Sequence, residues 1–398
     1  MTVHAPFDPR FDTPIDRRGT HCEKWDEMEA IFGVSPEDGL PMWVADTDFR
    51  PPQVVQDAVR RIAEVGIYGY AGDQTPCRDA IIWWMRNRHG WAVDRREILF
   101  THGLVNGAGH VIDALTAPGD AVILFTPVYH AFAAIIKAAG RQVTELPMVL
   151  EDGRYSLDFD AYAARLTGRE KLVMFSSPHN PGGRVWTQSE LEQLAAFCRR
   201  HDLILASDEI HHDLIYPGET HIPMARAVPD IADRLVMMVS ASKTFNIAGA
   251  KVGSLIVQGY PLRRRVLDRL KPFGLSRNYF GMIMTEAAYS PEGAAWVDDL
   301  MVYLDGNRAL FDAGLAEIPG VVSIPLQSTF LSWVDFTRTG LTQAEVEDRI
   351  TRGARIAASS GPSFGTGGEG FIRFNIGLPR AQIAEAVARL QDAFSDLQ

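Results

Sequence analysis

The sequence predicts an α/β protein with a large domain, built on a mostly parallel seven-stranded sheet sandwiched by helices, and a smaller α+β domain. Three observations predict it. From position 98 onward, short apolar runs alternate with helical patterns, the rhythm of a sheet covered on both faces. The chain has 398 residues, of which 46% are hydrophobic and 22% charged, more than one small core needs. After Ser290-Pro291 the strand–helix rhythm breaks.

The elements follow in order. Residues 1–50 read as an irregular segment with short apolar stretches. Pro51-Pro52 opens a helix with Val55, Ala58 and Ile62 on one face, ended by Gly66. A second helix spans 80–89 and carries Ile82, Trp83 and Trp84. Seven strands are expected at 98–101, 121–126, 143–146, 172–176, 203–207, 235–239 and 253–257. A long helix over 294–318 then leads to strands at 330–336 and 371–376 and a final helix from Arg380. The expected division is 1–50 as an N-terminal segment, 51–290 as the large domain and 291–398 as the small one.

Composition excludes several classes. The net charge of −11 argues against non-specific nucleic-acid binding. Cys22, Cys77 and Cys198 are dispersed and show neither a disulfide framework nor metal-ligand spacing. His211-His212 lacks the partners of a metal motif, so no metal is expected. The polar N-terminus, with Asp8, Asp12 and Asp16, is unlike a signal peptide, and no apolar run approaches the ~18 residues of a membrane span. The expectation is a cytoplasmic enzyme without membrane or nucleic-acid partners.

Three strand ends carry the chemistry. The run 235–239 delivers Ser240-Ala241-Ser242-Lys243, a lysine with two nearby hydroxyls. That grouping suits an imine to a phosphorylated aldehyde, pyridoxal 5'-phosphate (PLP); for the motif alone, a solvated lysine competes. The run 203–207 delivers Asp208, a carboxylate suited to keeping a pyridine nitrogen protonated. The run 171–176 opens into Ser177-Pro178-His179-Asn180-Pro181-Gly182-Gly183, a rigid turn whose Asn180 suits a phenolic oxygen. Strand 98–101 is followed by His102-Gly103-Leu104 at a helix start, where free amides suit a phosphate. Taken alone, that segment reads more readily as an ordinary strand–helix turn.

These runs, SPHNPGG, SDEIHHD and SASKTFNIAG, resemble the fold-type I PLP enzymes, the aspartate aminotransferase superfamily. The opening IDRRGT with Lys24-Trp25-Asp26, the stretch WVADTDF at 43–49, and FIRFNIGLPR at 371–380 resemble its MalY/PatB branch, the cystathionine β-lyase-like C–S lyases. The resemblance runs from about Phe11 past Arg380. It implies that Lys243 is catalytic and that Gly103, Leu104, Ser240 and Ser242 hold the phosphate, joined by Tyr70 from a second subunit. It further implies that Tyr129 stacks on the ring, that Asn180 and His211 bond the phenolic oxygen, and that Asp208 pairs with the ring nitrogen. Arg373, with Asn180 and Tyr129, is implied to bind the substrate, the guanidinium gripping its α-carboxylate. A homodimer is implied, with the N-terminal segment packed on the small domain.

The expected reaction is β-elimination from L-cystathionine or an S-substituted L-cysteine, giving pyruvate, ammonia and a thiol. Transamination of an amino acid is the alternative, since it uses the same lysine, aspartate and arginine. An additional non-enzymatic regulatory role is a second. Lys251, Thr47, Leu378 and the run 327–330 depart from the branch's pattern, and the role of Lys251 is open.

Overall fold

A computed structural model describes residues 7–274 and 278–397. In chain order its strands are β1 (Leu40–Met42), β2 (Ile98–Thr101), β3 (Ala121–Thr126), β4 (Gln142–Pro147), β5 (Val149–Glu151), β6 (Arg154–Ser156), β7 (Glu170–Ser176), β8 (Ile204–Asp208), β9 (Leu235–Val239), β10 (Gly253–Ile256), β11 (Val322–Ser323), β12 (Leu331–Asp335), β13 (Ile356–Ser360) and β14 (Phe371–Asn375). The seven expected strands of the large sheet are all present, in the order β2-β10-β9-β8-β7-β3-β4. Only β10 runs against its neighbours. Every residue of β3 and β9 is buried, as expected of strands covered on both faces.

The helices follow from apolar spacing and caps. Helix Gln53–Val65 buries Val55, Ala58 and Ile62 and stops at Gly66, whose φ of 69° is the left-handed C-terminal cap that glycine adopts without strain. The next helix begins earlier than expected, at Thr75, with Pro76 in its first turn. Its inward face is Cys77, Ile81, Trp84 and Met85, while Ile82 and Trp83 are half-buried. Trp84 stacks on Tyr289 at 4.7 Å, a pairing worth roughly 1 kcal/mol beyond burial alone. The long helix also starts earlier than expected. It spans Pro291–Leu315, capped by Ser290, which accepts from Gly293 N at 3.1 Å. Gly314 lets Val387 of the last helix, Arg380–Ala393, lie against it; a Cβ there would sit 2.2 Å from Val387 Cγ1.

The smaller sheet has the order β1-β13-β14-β12-β11. Its first strand comes from the N-terminal segment, Leu40 lying parallel beside Ile356. Phe11 in the same segment packs against Phe49, Trp296 and Tyr303 at 5.1–5.7 Å between ring centres. Lys24 is fully buried. Its amine donates to Asp46 O at 3.0 Å and lies 3.3 Å from the Asp48 carboxylate, which Arg17 also meets. These charges compensate one another and fix residues 44–49 where they leave β1.

Candidate active site

The parallel strands β7, β8 and β9 are neighbours, so their carboxyl ends bring Asn180, Asp208 and Lys243 to one edge of the sheet. The end of β3 adds Tyr129, and the end of β2 adds Gly103 and Leu104. These residues, with His211, Ser242 and Arg373, line a single cavity of about 440 Å³. Arg373 reaches it from β14 of the smaller sheet.

Lys243 Nζ donates to Ala45 O at 2.7 Å, a contact made by the segment after β1. Burial pulls the amine's pKa down to about 8, against the opposing pull of Asp46. Asp208 is buried, and burial pushes its carboxyl up to about 7. It accepts the Ile210 N–H at 3.2 Å, and among the described residues no lysine or arginine forms an ion pair with it. A buried carboxylate without a cation is costly, so a protonated ring nitrogen fits the position. Asn180 Oδ1 accepts from Arg373 Nη1 at 3.1 Å, linking the two sheets across the cavity. His211 is buried with Nδ1 unpartnered, and burial together with the nearby cations of Lys243 and Arg373 holds it neutral. Burial raises the Tyr129 hydroxyl above its ordinary value.

Arg373 is the most informative group. It is 3% exposed, and no carboxylate forms an ion pair with it among the described residues. Its Nη2 donates to Trp43 O at 2.7 Å and Ser359 Oγ at 3.1 Å, its guanidinium lies 4.9 Å from the Phe364 ring centre, and its Nε has no partner. Burial lowers its pKa to about 10. A desolvated planar cation with an open donor awaits an anion.

The loop after β2 is equally open. Gly103 has φ of 84°, and a Cβ there would meet nothing within 4 Å. It caps helix Leu104–Leu115, whose first amides are free for an anion. At Gly253, by contrast, a Cβ would come 2.9 Å from Gly103 C, so this glycine lets β10 pass beneath the loop. Lys251 lines the same cavity and is exposed, with φ of 47°.

Two expected residues are placed elsewhere. Ser240 lies behind the cavity wall, where its hydroxyl donates to Val252 O at 2.7 Å and supports Ser242 Oγ at 2.9 Å. Its position makes it a support for Ser242 and not a lining residue. Tyr70 is fully exposed and does not line the cavity.

Other residues escaped the sequence reading. Trp43, Ala45 and Ser359 hold Arg373 and Lys243 through contacts that no local motif announces. Asn375 pins the same segment, donating to Val44 O and Asp46 O. His211 faces the cavity, whereas His212 turns inward to Asp213 at 3.1 Å. The Asp213 carboxylate also receives Trp84 Nε1, His89 Nε2 and the hydroxyl of Thr244, the neighbour of Lys243. This buried network stiffens the turn carrying the lysine.

The chain belongs to the aminotransferase class I and II family, whose sequence profile matches residues 44–390. Within that family it is similar to the cystathionine beta-lyase PatB of Bacillus subtilis, 37% identical over 97% of this chain and 100% of that one. The protein MalY of Escherichia coli is 30% identical over 96% and 98% of the two chains. In three dimensions the chain is similar to cystalysin from Treponema denticola, a structure that contains a pyridoxal 5'-phosphate cofactor. The TM-score is 0.93 and the identity 31%, over 99% of this chain and 100% of that one.

Proposed function

We propose that this protein is a PLP-dependent C–S β-lyase acting on L-cystathionine or S-substituted L-cysteines. One observation carries the reading: a single cavity holds an amine with a lowered pKa and, among the described residues, a buried carboxylate with no cation paired to it and a buried guanidinium with no anion paired to it. The similarity to PatB and cystalysin over whole chains supports the lyase branch of the family.

The open groups fit PLP. The amides at Gly103 and Leu104 with Ser242 would hold its phosphate, Asp208 its ring nitrogen, Asn180 and His211 its phenolic oxygen, and Tyr129 would lie against its ring. PLP supplies an electron-withdrawing ring that takes up the electron pair left when an amino acid loses its α-proton. The remaining work belongs to the chain. Arg373 grips the substrate carboxylate in two parallel hydrogen bonds and so turns the Cα–H bond toward Lys243. Lys243 Nζ takes the proton from Cα, and a pKa near 8 makes it an effective base close to neutral pH. The thiolate leaves Cβ, and the 2-aminoacrylate that remains hydrolyses to pyruvate and ammonia.

We further propose a homodimer in the cytoplasm. Ile67, Tyr68 and Tyr70 form an exposed apolar stretch suited to a second copy, which would bring Tyr70 to the neighbour's phosphate. No helix among the described residues is long and apolar enough to cross a membrane.

The test is product analysis of the PLP-loaded protein on a panel of S-substituted cysteines. Pyruvate, ammonia and thiol in equal amounts without a keto acid support the lyase. Turnover that requires a keto acid and yields a new amino acid establishes an aminotransferase instead.

A further inference from the structure

Glu23 also lines the cavity, and its carboxylate has no hydrogen-bond or ion-pair partner among the described residues. The other two carboxylates of the wall differ from it. Asp46 is held by Arg17 at 2.9 Å, and Asp208 lies buried at the end of β8. Glu23 is therefore an available negative charge at the open side of the cavity.

Its place is fixed by its neighbours. The Trp43 indole donates to Lys24 O at 2.9 Å, and the Trp43 carbonyl accepts from Arg373 Nη2 at 2.7 Å. The adjacent Lys24 is anchored on Asp46 O. A short chain of hydrogen bonds thus ties the backbone beside Glu23 to the guanidinium that takes the α-carboxylate. The charge of Glu23 is felt at Lys243 and Tyr129, where it favours the protonated forms. Trp43, Tyr129 and His130 line the same cavity.

From this arrangement we infer that Glu23 is a specificity-determining residue that selects thioethers whose sulfur substituent carries a cationic group, such as a second ammonium. The inference rests on the lyase reading above and names the substrate class of that site. An amino acid anchored by Arg373 with Cα at Lys243 directs its Cβ substituent toward the remaining wall. There an unpaired carboxylate, in a cavity that aromatic rings also line, attracts a cation and repels an anion.

The test compares two substrates of the same size, S-(2-aminoethyl)-L-cysteine and S-propyl-L-cysteine, by pyruvate release. Wild-type kcat/KM should favour the aminoethyl compound, and Glu23→Gln should lower that preference about five-fold, the scale of a partly solvated ion pair. Raising the salt concentration should erode the wild-type preference and leave that of Glu23→Gln flat. Glu23→Lys should favour S-(2-carboxyethyl)-L-cysteine over the aminoethyl compound. An unchanged ratio in both variants, or an equal loss on both substrates, overturns the inference while leaving the lyase intact. Absence of pyruvate from every thioether with the wild-type enzyme overturns the lyase reading and this one with it.

Discussion

Arg373→Ala separates substrate binding from folding, and the structure gives the size of both effects. Holding the guanidinium buried lowers its pKa to about 10, a penalty of roughly 3 kcal/mol on the charged form. Against this stand its hydrogen bonds to Asn180, Trp43 and Ser359: the Trp43 carbonyl would keep the Ser359 hydroxyl as donor, but buried Asn180 Oδ1 would be left without one, at a cost of about 1–3 kcal/mol. The two nearly cancel, so the variant should melt within a few degrees of the wild type. Substrate recognition has no such compensation. Loss of a desolvated bidentate contact to a carboxylate should cost about 2–5 kcal/mol, a fall in kcat/KM of at least about thirty-fold, carried mainly by KM. A coupled pyruvate assay on S-propyl-L-cysteine measures the fall, and thermal melting of the same preparation measures the first effect. Any thioether turned over without an α-carboxylate should be insensitive to the change. Near-wild-type kcat/KM with a large loss of melting temperature would refute the reasoning and make Arg373 a structural residue.

The other predictions concern the remaining groups of the cavity. Borohydride reduction of the PLP-loaded protein should fix the pyridoxyl group on Lys243, and Lys243→Ala should abolish turnover; a label on another lysine rejects the assignment. Asp208→Asn should lose activity severely, because an amide cannot keep a ring nitrogen protonated, and near-wild-type turnover would remove Asp208 from that role. The same variant carries a pH signature without cofactor. Because the folded carboxyl titrates near 7, well above its unfolded value, the wild-type apoprotein should lose stability as pH rises from about 4 to 7, by up to roughly 4 kcal/mol relative to Asp208→Asn. Parallel denaturation curves at pH 5 and 8 test it, and equal pH dependence in both proteins counts against it. Finally, subunit exchange between Tyr70→Phe and Lys243→Ala proteins should restore activity, since one site of the hybrid dimer escapes both defects; verified hybrids that stay inactive would refute a shared site.

Much of the large sheet was legible because strands such as 121–126 and 235–239 are nearly continuous apolar runs, the latter closed by Ser240. The reversal of β10 was not, since an apolar run carries no direction. The smaller sheet was read only through β12 and β14. Strand β13, Ile-Ala-Ala-Ser-Ser, has little β propensity, and β1, Leu-Pro-Met, carries a proline, which sheets accept at an edge. Both exist because each finds the other across more than 300 positions. The site divides in the same way. Asn180, Asp208 and Lys243 stand at the ends of readable strands, so sequence order placed them together. Ala45, Trp43, Ser359 and Glu23 join them only through tertiary packing, with separations up to 330 residues. Ser240 looked equivalent to Ser242 because both flank the lysine at short range. The strand ends at Val239, so Ser240 sits at its end with its hydroxyl on Val252 O, while Ser242 lies in the turn beyond it.

The measurement that tests the central claim most directly is the stoichiometry of the wild-type reaction on L-cystathionine with PLP and no keto acid. The account predicts one pyruvate, one ammonia and one thiol for each substrate consumed, sustained over many turnovers. A single turnover that stops until a keto acid is added, with no free thiol formed, would contradict it.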